Sequence, residues 1–592
     1  MPRSTKRKSE FGFARLRKMK SAKTAFHVCV CIVALSAVVL TSLVAQPAHA
    51  DWHSLTGLLP DRVTLSSPQF SPDSAYIVYK ADVDVDGQDE LYSVVVTTTL
   101  VASPTKLNTV LVTGGDVINF AISPDSKSVV YTADQEVDER RELFVVPIAG
   151  GMPVKISGSM VSGGNVASFL IDKTSTRVVF TADRLINETT ELFSVLLTGG
   201  AIATLNPAVG PGDVVEFRLD PASNRAVFRL DNVVNDRYAL FSTPIAGGTF
   251  MTLSQNVTLE GFGVDSFQIY PTLALVIFSA QTSDPGEYSL YSVFTADGSL
   301  LNSLRVGSVF SERVRYYTPS PNDGRVIYEV SAGAVGTTTR TIHLYSVLIG
   351  GGSVLQLTKP AEPMKRQGPY DSSDSRLVTS DGKYLIYGHR TAPETDPNNK
   401  LELRSISLQG APQYATLYTP PSSQEQLGSF KLSPDGQWVV YSTSSNGSQT
   451  TLHATPPNSN SPQNFGIVGP GWLITADSQR LIYSRARADY GSDIFSEQIF
   501  GGGLRNLTDT GGSYAFSPLL SPNNQWIEFG LQAIGPAPDR NVLGTELRLS
   551  DGKAAQVPTP TPTQTSTPSQ TMTPTPTATP AFSAFMPSLA KP

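Results

Sequence analysis

Short segments that are apolar at consecutive positions recur about every fifty residues along this chain. A strand with one solvated face alternates apolar and polar residues, whereas a continuous apolar run indicates a strand buried on both sides. The clearest copy predicts four short strands, and it contains Phe120, the turn 123–126, the run 129–131, Glu142-Leu143-Phe144, Gly150-Gly151 and Val154-Lys155-Ile156.

The aromatic residue that ends the doubly apolar run marks each copy of this unit. About ten copies fill the chain between residues 66 and 557, with anchors 42 to 59 residues apart. This leaves no stretch for a separate catalytic domain. The anchors are Tyr79, Tyr131, Phe180, Phe228, Phe278, Tyr328, Tyr387, Tyr441, Tyr483 and Phe529.

Two turn signatures separate the predicted strands. Before the anchor stands a Ser-Pro-Asp type turn, as in Ser71–Ser74, where proline fixes φ and the Asp side chain bonds the local backbone. After the third strand stands a glycine pair such as Gly199-Gly200, which supplies the positive φ of a tight hairpin. Both signatures predict antiparallel neighbours.

The sequence therefore predicts an all-β fold, a β-propeller built from about ten four-stranded repeats. Radial packing of such sheets buries their faces and leaves only short edges. A β-solenoid is the rival, but its repeats are shorter. One large ring and two smaller rings both stay open, and the likeliest seam is the wide gap around residues 359–363. Residues 51–65 are a candidate closing strand.

The unit Ser-Pro-Asp-Gly/Ser, Val-Val-Tyr, Glu-Leu-Tyr, Gly-Gly and Leu-Thr resembles the repeat of TolB-like, WD-repeat-like propellers of exported bacterial proteins. The resemblance covers about residues 66–557 and implies an extracytoplasmic module that binds proteins or ligands. Ten copies exceed the usual ring of about four to eight blades.

The amino-terminal segment predicts export. Residues 1–50 hold nine Lys/Arg and one acid, hence +8 of a total charge of −6, so the rest carries −14. An apolar run, 28–45, follows, and Ala48-His49-Ala50 has the pattern of a signal-peptidase site. We interpret 1–50 as a signal peptide, with an uncleaved anchor as the alternative. The protein is then secreted, periplasmic or at the cell surface.

The mature chain contains neither cysteine, and its acidic body disfavours nucleic acid as a partner.

Residues 51–557 form the repeats, and 558–580 are a Thr/Pro-rich linker that stays extended. The apolar tail 581–592 suggests surface attachment, or else is a frayed end. The expected partner is a protein or a cell-envelope component, with membrane contact only through an uncleaved targeting segment.

One segment has the chemistry of a calcium loop. Asp82, Asp84, Asp86 and Glu90 present carboxylates around Gly87, as in the short acidic loops of some propellers. A regular EF-hand fails, because the twelfth position is Ser93. A solvated turn is the competing interpretation. Calcium is the only cofactor that the sequence suggests.

No catalytic residue is nominated, because the chain has neither a Gly-x-Ser-x-Gly elbow nor a His-Glu-x-x-His helix. The leading hypothesis is a non-enzymatic exported scaffold that binds a protein or ligand. The alternatives are an extracytoplasmic hydrolase or lyase with acidic residues in the central channel, and a calcium-stabilised adhesin. Polar channel residues that break the repeat symmetry in one cavity would favour the enzyme.

Overall fold

A computed structural model describes residues 52–54, 65–96, 103–207, 212–231, 237–255, 257, 259, 262–281, 288–299, 302–305, 312–332, 339–359, 364–367, 376–390, 400–422, 424–445, 449–469, 471–487, 491–508, 513–533 and 546–551. Every regular element in these ranges is a β-strand. None of the described residues forms a helix of the length and apolarity needed to cross a membrane.

The first five repeats are each one four-stranded antiparallel sheet whose strands neighbour one another in chain order. The short strand β1 (Trp52–Ser54) precedes them. The sheets are β2 (Leu65–Phe70), β3 (Tyr76–Ala81), β4 (Glu90–Val95) and β5 (Thr105–Lys106); β6 (Val117–Ile122), β7 (Ser128–Ala133), β8 (Glu142–Pro147) and β9 (Val154–Lys155); β10 (Val166–Ile171), β11 (Arg177–Ala182), β12 (Glu191–Leu196) and β13 (Ala203–Thr204); β14 (Val214–Leu219), β15 (Arg225–Asp231), β16 (Tyr238–Pro244) and β17 (Met251–Thr252); β18 (Val264–Ile269), β19 (Leu275–Gln281), β20 (Tyr288–Phe294) and β21 (Asn302–Arg305).

The next repeats keep this plan, and the sixth gains a fifth strand. Their strands are β22 (Glu312–Pro319), β23 (Arg325–Ala332), β24 (Thr339–Leu348), β25 (Leu355–Gln356) and β26 (Met364–Gln367); β27 (Arg376–Val378), β28 (Tyr384–Arg390), β29 (Leu401–Ser407) and β30 (Tyr414–Tyr418); β31 (Glu425–Leu432), β32 (Val439–Ser445), β33 (Gln449–Thr455) and β34 (Gln463–Val468); β35 (Trp472–Ile474), β36 (Arg480–Ala486), β37 (Ser492–Gln498) and β38 (Arg505–Asn506); β39 (Ser513–Leu520), β40 (Trp526–Ala533) and β41 (Glu546–Asp551).

The described strands form nine sheets, one of which has eight strands. That sheet joins two four-stranded groups, β35–β38 and β39–β41 with β1, through the single parallel pair Ser492 and Tyr514. The propeller therefore has nine blades counted as sheets and ten repeats counted as four-stranded units. All ten anchors lie on the second strand of their repeat. The prediction of an all-β propeller of about ten repeats is confirmed.

The anchor aromatic is explained by its cross-strand partner. Tyr131 lies opposite Phe144 in the register of β7 and β8, and their rings stack with centroids 5.3 Å apart. The same pairing recurs in other repeats, for example between Phe228 and Phe241 at 5.6 Å. Offset aromatic pairs stabilise a sheet beyond the area that they bury. The Val-Val-Tyr and Glu-Leu-Phe segments are thus two halves of one contact.

Neighbouring repeats pack face to face through their second strands. Within β7, Val130 belongs to the apolar cluster shared with the third repeat, while Tyr131 belongs to the cluster shared with the first. Because successive side chains of a strand point to opposite faces, both faces must be apolar. This packing produces the unbroken apolar runs of the sequence.

Hydrogen bonds between neighbouring repeats account for the serines of the motif. The hydroxyl of Ser93, at the end of Glu-Leu-Tyr-Ser, donates to the carbonyl of Ile148 in the next repeat at 2.6 Å. At the turns, the amide of Asp73 donates to the Ser126 hydroxyl oxygen at 3.0 Å, and that of Asp125 to Ser175 at the same distance. The turns of the first three repeats are therefore bonded one to the next.

The ring closes between the tenth repeat and the first. The amide of Asn523 donates to the Ser74 hydroxyl oxygen at 3.2 Å, and Trp526 packs against the cluster that contains Ile77 and Tyr79. The candidate seam of the sixth repeat is bridged, since Ile327 and Tyr387 share one cluster. The chain therefore forms one ring, and the extra strand β26 lies in the long gap that suggested a break.

The closing strand comes from the amino-terminal side, within the segment 51–65 that the sequence nominated. β1 pairs with β41 in antiparallel register, with Trp52 opposite Ser550 and Ser54 opposite Arg548. The tenth repeat thus takes its fourth strand from the opposite end of the propeller sequence. Such pairing ties the first and last repeats together and covers a sheet edge.

A carboxyl group lies inside the closing repeat. Glu528 of β40 is 1 % exposed, and its Oε2 atom lacks a hydrogen-bond partner. The equivalent position in the preceding repeats is Val or Ile, such as Val130. Burial raises the pKa of Glu528 to about 8. The neutral form is therefore favoured inside the folded ring.

We expect Glu528 to make the protein less stable as pH rises. The folded-state pKa lies above the ordinary value of 4.5, so the folded protein holds the extra proton and loses stability between about pH 4.5 and pH 8. The free energy of unfolding should fall by on the order of 1 kcal/mol per pH unit in this window. Urea unfolding across this range measures the slope.

The matched variant is Glu528→Gln, which cannot ionise. Glu528→Gln should match the wild type near pH 5 and exceed its stability at pH 9. Glu528→Val, which restores the residue type of the other repeats, should be more stable at both pH values. Identical slopes for the wild type and Glu528→Gln would show that Glu528 does not titrate in this window.

Candidate functional site

The first strands of the third and fourth repeats line an open cavity of 620 Å³. β10 and β14 form its walls, and each is an edge strand of its four-stranded sheet. Apolar side chains supply much of the surface, including Phe169, Leu170 and Val215. Its volume is that of a small-ligand site, in which apolar walls surround a few polar groups.

Two charged groups of the cavity, Glu216 and Arg218, are paired with each other. Glu216 and Arg218 alternate with Phe217 along β14, so both side chains lie on the same face of the strand. The Arg218 Nη2 atom donates to Glu216 Oε1 at 2.6 Å, and the guanidinium carbon lies 5.9 Å from the centroid of the Phe267 ring. A half-exposed guanidinium on an aromatic ring retains N–H donors for a carboxylate or hydroxyl of a ligand.

The other polar groups of the cavity are held by short hydrogen bonds. Ser168 Oγ and Thr181 Oγ1 are 2.7 Å apart across β10 and β11. Asp213 Oδ1 accepts from the Thr190 amide at 2.6 Å, which joins the third repeat to the connection that enters the fourth. These contacts give the cavity a preformed polar lining.

Sequence reasoning missed this cavity, although the repeat carries a signal for it. In the second to fifth repeats, the first strand carries an aromatic residue opposite the anchor of the second strand. These residues are Phe120, Phe169, Phe217 and Phe267. The residues that flank this aromatic are uncharged in the other three strands, whereas Phe217 is flanked by Glu216 and Arg218. The charged pair is therefore a break in repeat symmetry of the kind that marks a site.

The residues of the proposed calcium loop lie on the hairpin between β3 and β4 and at the first residue of β4. Asp82 Oδ2 accepts from the Gly87 amide at 3.2 Å, and Glu90 Oε2 accepts from the amides of Val83 and Asp84. Asp84 and Asp86 are exposed. Two of the four carboxylates thus hold the backbone of their own hairpin.

A lysine from the outer strand lies between two of these carboxylates. Lys106 Nζ donates to Asp84 Oδ2 at 2.6 Å and to Glu90 Oε1 at 2.9 Å. The hydrogen bond from Lys106 holds the pKa of Asp84 below its usual value. Lys155 makes the same two contacts in the second repeat, with Glu136 and Glu142. The first two repeats therefore share an ammonium at this place.

The third repeat lacks this lysine, and its buried glutamate is left without the corresponding donor. Thr204 stands where Lys106 and Lys155 stand in their repeats, and Glu191 Oε2 has no hydrogen-bond partner. Burial raises the pKa of Glu191, and the positive charge of Arg184 offsets part of that shift. Among the described residues, no three His, Cys, Asp or Glu side chains are grouped as a metal site. The calcium loop stays a prediction, and it requires Lys106 to move.

The comparisons with known proteins identify no family. No protein-family model and no curated protein matches this chain. Solved structures that resemble it include an oligogalacturonate lyase from Vibrio parahaemolyticus, at 10% identity over 66% of this chain and 98% of that one, with a TM-score of 0.32. A putative TolB from Agrobacterium tumefaciens is 15% identical over 51% of this chain and 83% of that one, with a TM-score of 0.23.

A structure from a study of two prolyl endopeptidases is 13% identical over 66% of this chain and 55% of its own, with a TM-score of 0.34. Likenesses this low carry no argument about function. The fold rests on the strand pairing described above, and the TolB-like resemblance of the repeat stays a prediction at the level of family.

Replacing the two equivalent lysines separates calcium binding from ion pairing. Lys106→Met and Lys155→Met each leave a buried glutamate without its ammonium donor, so each should lower the free energy of unfolding by about 1–3 kcal/mol. If the first hairpin binds calcium, added calcium should raise the melting temperature of Lys106→Met and leave Lys155→Met unchanged. Thermal unfolding with calcium or with a chelator measures this, and equal responses of the two variants would exclude the loop.

Proposed function

We propose that the protein is an exported, non-enzymatic propeller that binds a ligand or a protein at the cell envelope or outside the cell. The observation that carries the proposal is the 620 Å³ cavity with its charged pair on β14. Its carboxylate, guanidinium and hydroxyl groups are paired with one another in a rigid sheet, which suits recognition without rearrangement. Loops and strands held by a closed ring give such a site a fixed shape.

The position of the closing strand supports export. The expected cleavage falls between Ala50 and Asp51, and β1 begins at Trp52. Cleavage there removes the basic and apolar segment while it leaves the closing strand intact. The ring of the exported chain would then be complete without the targeting segment.

A second candidate function is a channel hydrolase or lyase. The observation that favours it is Glu216, an acid in the cavity wall with a guanidinium 2.6 Å away. A carboxylate that exchanges a proton with substrate and a cation that stabilises developing negative charge are common parts of such sites. In that case Glu216 would be the catalytic acid or base and Arg218 would bind the substrate.

Cavity-filling variants test the proposal. Val215→Trp introduces a large side chain into the cavity, whereas Ile118→Trp places the same side chain at the equivalent position of the second repeat. We expect calorimetry against neutral and acidic oligosaccharides and short peptides to find a ligand whose affinity Val215→Trp lowers at least tenfold and Ile118→Trp leaves unchanged. A ligand that binds both variants equally would place the site elsewhere.

Glu216→Gln then separates binding from catalysis. A binding protein leaves the ligand chemically intact whether Glu216 is present or not. Turnover of an oligosaccharide or peptide that Glu216→Gln abolishes, while affinity is retained, would establish the enzyme and overturn the scaffold. Mass spectrometry of the ligand after incubation gives this result directly.

A further inference from the structure

The loops that join the second and third strands of the first three repeats share one conformation. In each loop an aspartate accepts a hydrogen bond from the amide five residues later: Asp82 from Gly87 at 3.2 Å, Asp134 from Glu139 at 3.1 Å and Asp183 from Glu188 at 3.3 Å. Each of the three donor residues has a positive φ, between 61° and 76°. We call these loops, residues 82–89, 134–141 and 183–190, the hairpin face.

An exposed aliphatic side chain occupies the same place in all three hairpins. In each loop this side chain stands three residues after the aspartate that accepts the amide hydrogen bond, and it is exposed. The three residues are Val85, Val137 and Ile186. Val110, on the connection between the first two hairpins, is 86 % exposed. Single exposed aliphatic residues are ordinary on a protein surface, but a repeated position on adjacent rigid loops forms a row.

The connections between repeats join these loops into a continuous surface. The Gln88 side chain donates to the carbonyl of Val112 at 2.7 Å, and the Val112 amide donates to Gln135 at 3.3 Å. The first hairpin, the connection and the second hairpin are therefore bonded together. A surface held in this way loses little conformational entropy when a partner binds.

The hairpin face is acidic around its aliphatic row. Six carboxylates are exposed on these three fully described loops, against one exposed cation, Arg141. Lys106 and Lys155 neutralise two of the six, Asp84 and Glu136. The remaining four are Asp86, Asp138, Glu139 and Glu188. Their charge favours a partner with cations beside its apolar side chains.

The ends of the outermost strands lie on the opposite side of the ring. Trp526 begins β40 directly after the turn 521–525, and it lies opposite Asp551 in register. Trp52 is opposite Ser550 at the same end of the sheet. Because successive loops of an antiparallel meander alternate between its two ends, this turn lies at the end away from the hairpins. The start of β1 and the end of β41 therefore lie at the end of their sheet away from the hairpin between second and third strands.

We propose that the hairpin face of the first three repeats is a docking surface for a protein segment in which aliphatic side chains alternate with lysine or arginine. The aliphatic row buries against the aliphatic side chains of the partner, and the surrounding carboxylates pair with its cations. This inference rests on the proposed binding role but not on the cavity. Its failure would leave the cavity experiment unaffected.

The test uses the full chain and three labelled peptides of equal length, which alternate Leu with Lys, Leu with Glu, and Ser with Lys. We expect fluorescence anisotropy to show that the Leu/Lys peptide binds at least tenfold more tightly than the other two. Equal binding of the Ser/Lys peptide would mean charge attraction alone and would overturn the proposal.

Two sets of variants locate the site. Val85→Ser, Val137→Ser and Ile186→Ser together should weaken the Leu/Lys peptide at least tenfold, whereas Met152→Ser, Val354→Ser and Leu504→Ser, exposed aliphatic positions outside these hairpins, should not. Asp86→Asn with Glu188→Gln should reduce the salt dependence of binding. Binding that survives the first triple substitution would contradict the proposal. The chain could also bind neutral lipid vesicles more tightly than the peptide and lose that binding in the same triple variant. This result would show that the surface binds a membrane and not a protein, and it would overturn the proposal.

Discussion

The burial of second strands on both faces is the constraint on which the rest of this molecule depends. A residue such as Val130 is buried only because the next repeat is present, and Tyr131 only because the preceding one is. No repeat can bury its core alone, so the exposed faces of the first and last repeats must also be covered. Closure of the tenth repeat on the first covers both of these faces. Trp526 packs into the apolar cluster of the first repeat, and β1 pairs along β41.

Much of this architecture could be predicted from sequence because its signals are local. The ten anchors, their doubly apolar strands and the turn residues are each encoded within a few neighbouring positions. The number of rings could not be predicted, since it depends on a contact such as that between Ser74 and Asn523, 449 residues apart. β1 contains only Trp52, His53 and Ser54, which is too short to show a strand period.

The candidate sites also combine local signals, which the sequence shows, with contacts between distant residues, which it does not. The acidic hairpin was visible in the sequence, but Lys106 enters it from the outer strand of the sheet, so the pattern of acids alone did not reveal the ion pairs. The cavity depends on two first strands from different repeats lying side by side. Its signal, charged residues beside Phe217, is apparent only once the first strands are aligned. The candidate cavity therefore lies where the fourth repeat departs from its neighbours.

Ring closure can be measured with a pair of introduced cysteines. Ser74 and Asn523 are replaced by cysteine, and Cys29 and Cys31 by serine, so that two thiols remain. The two positions are close, because the Asn523 amide donates to the Ser74 hydroxyl oxygen. Mild oxidation should give a disulfide within the monomer, seen as a shifted band on a non-reducing gel. A pair at Ser74 and Asp435 is the control and should stay reduced. Failure of the first pair to form an intramolecular disulfide, in a folded protein, would contradict the single closed ring.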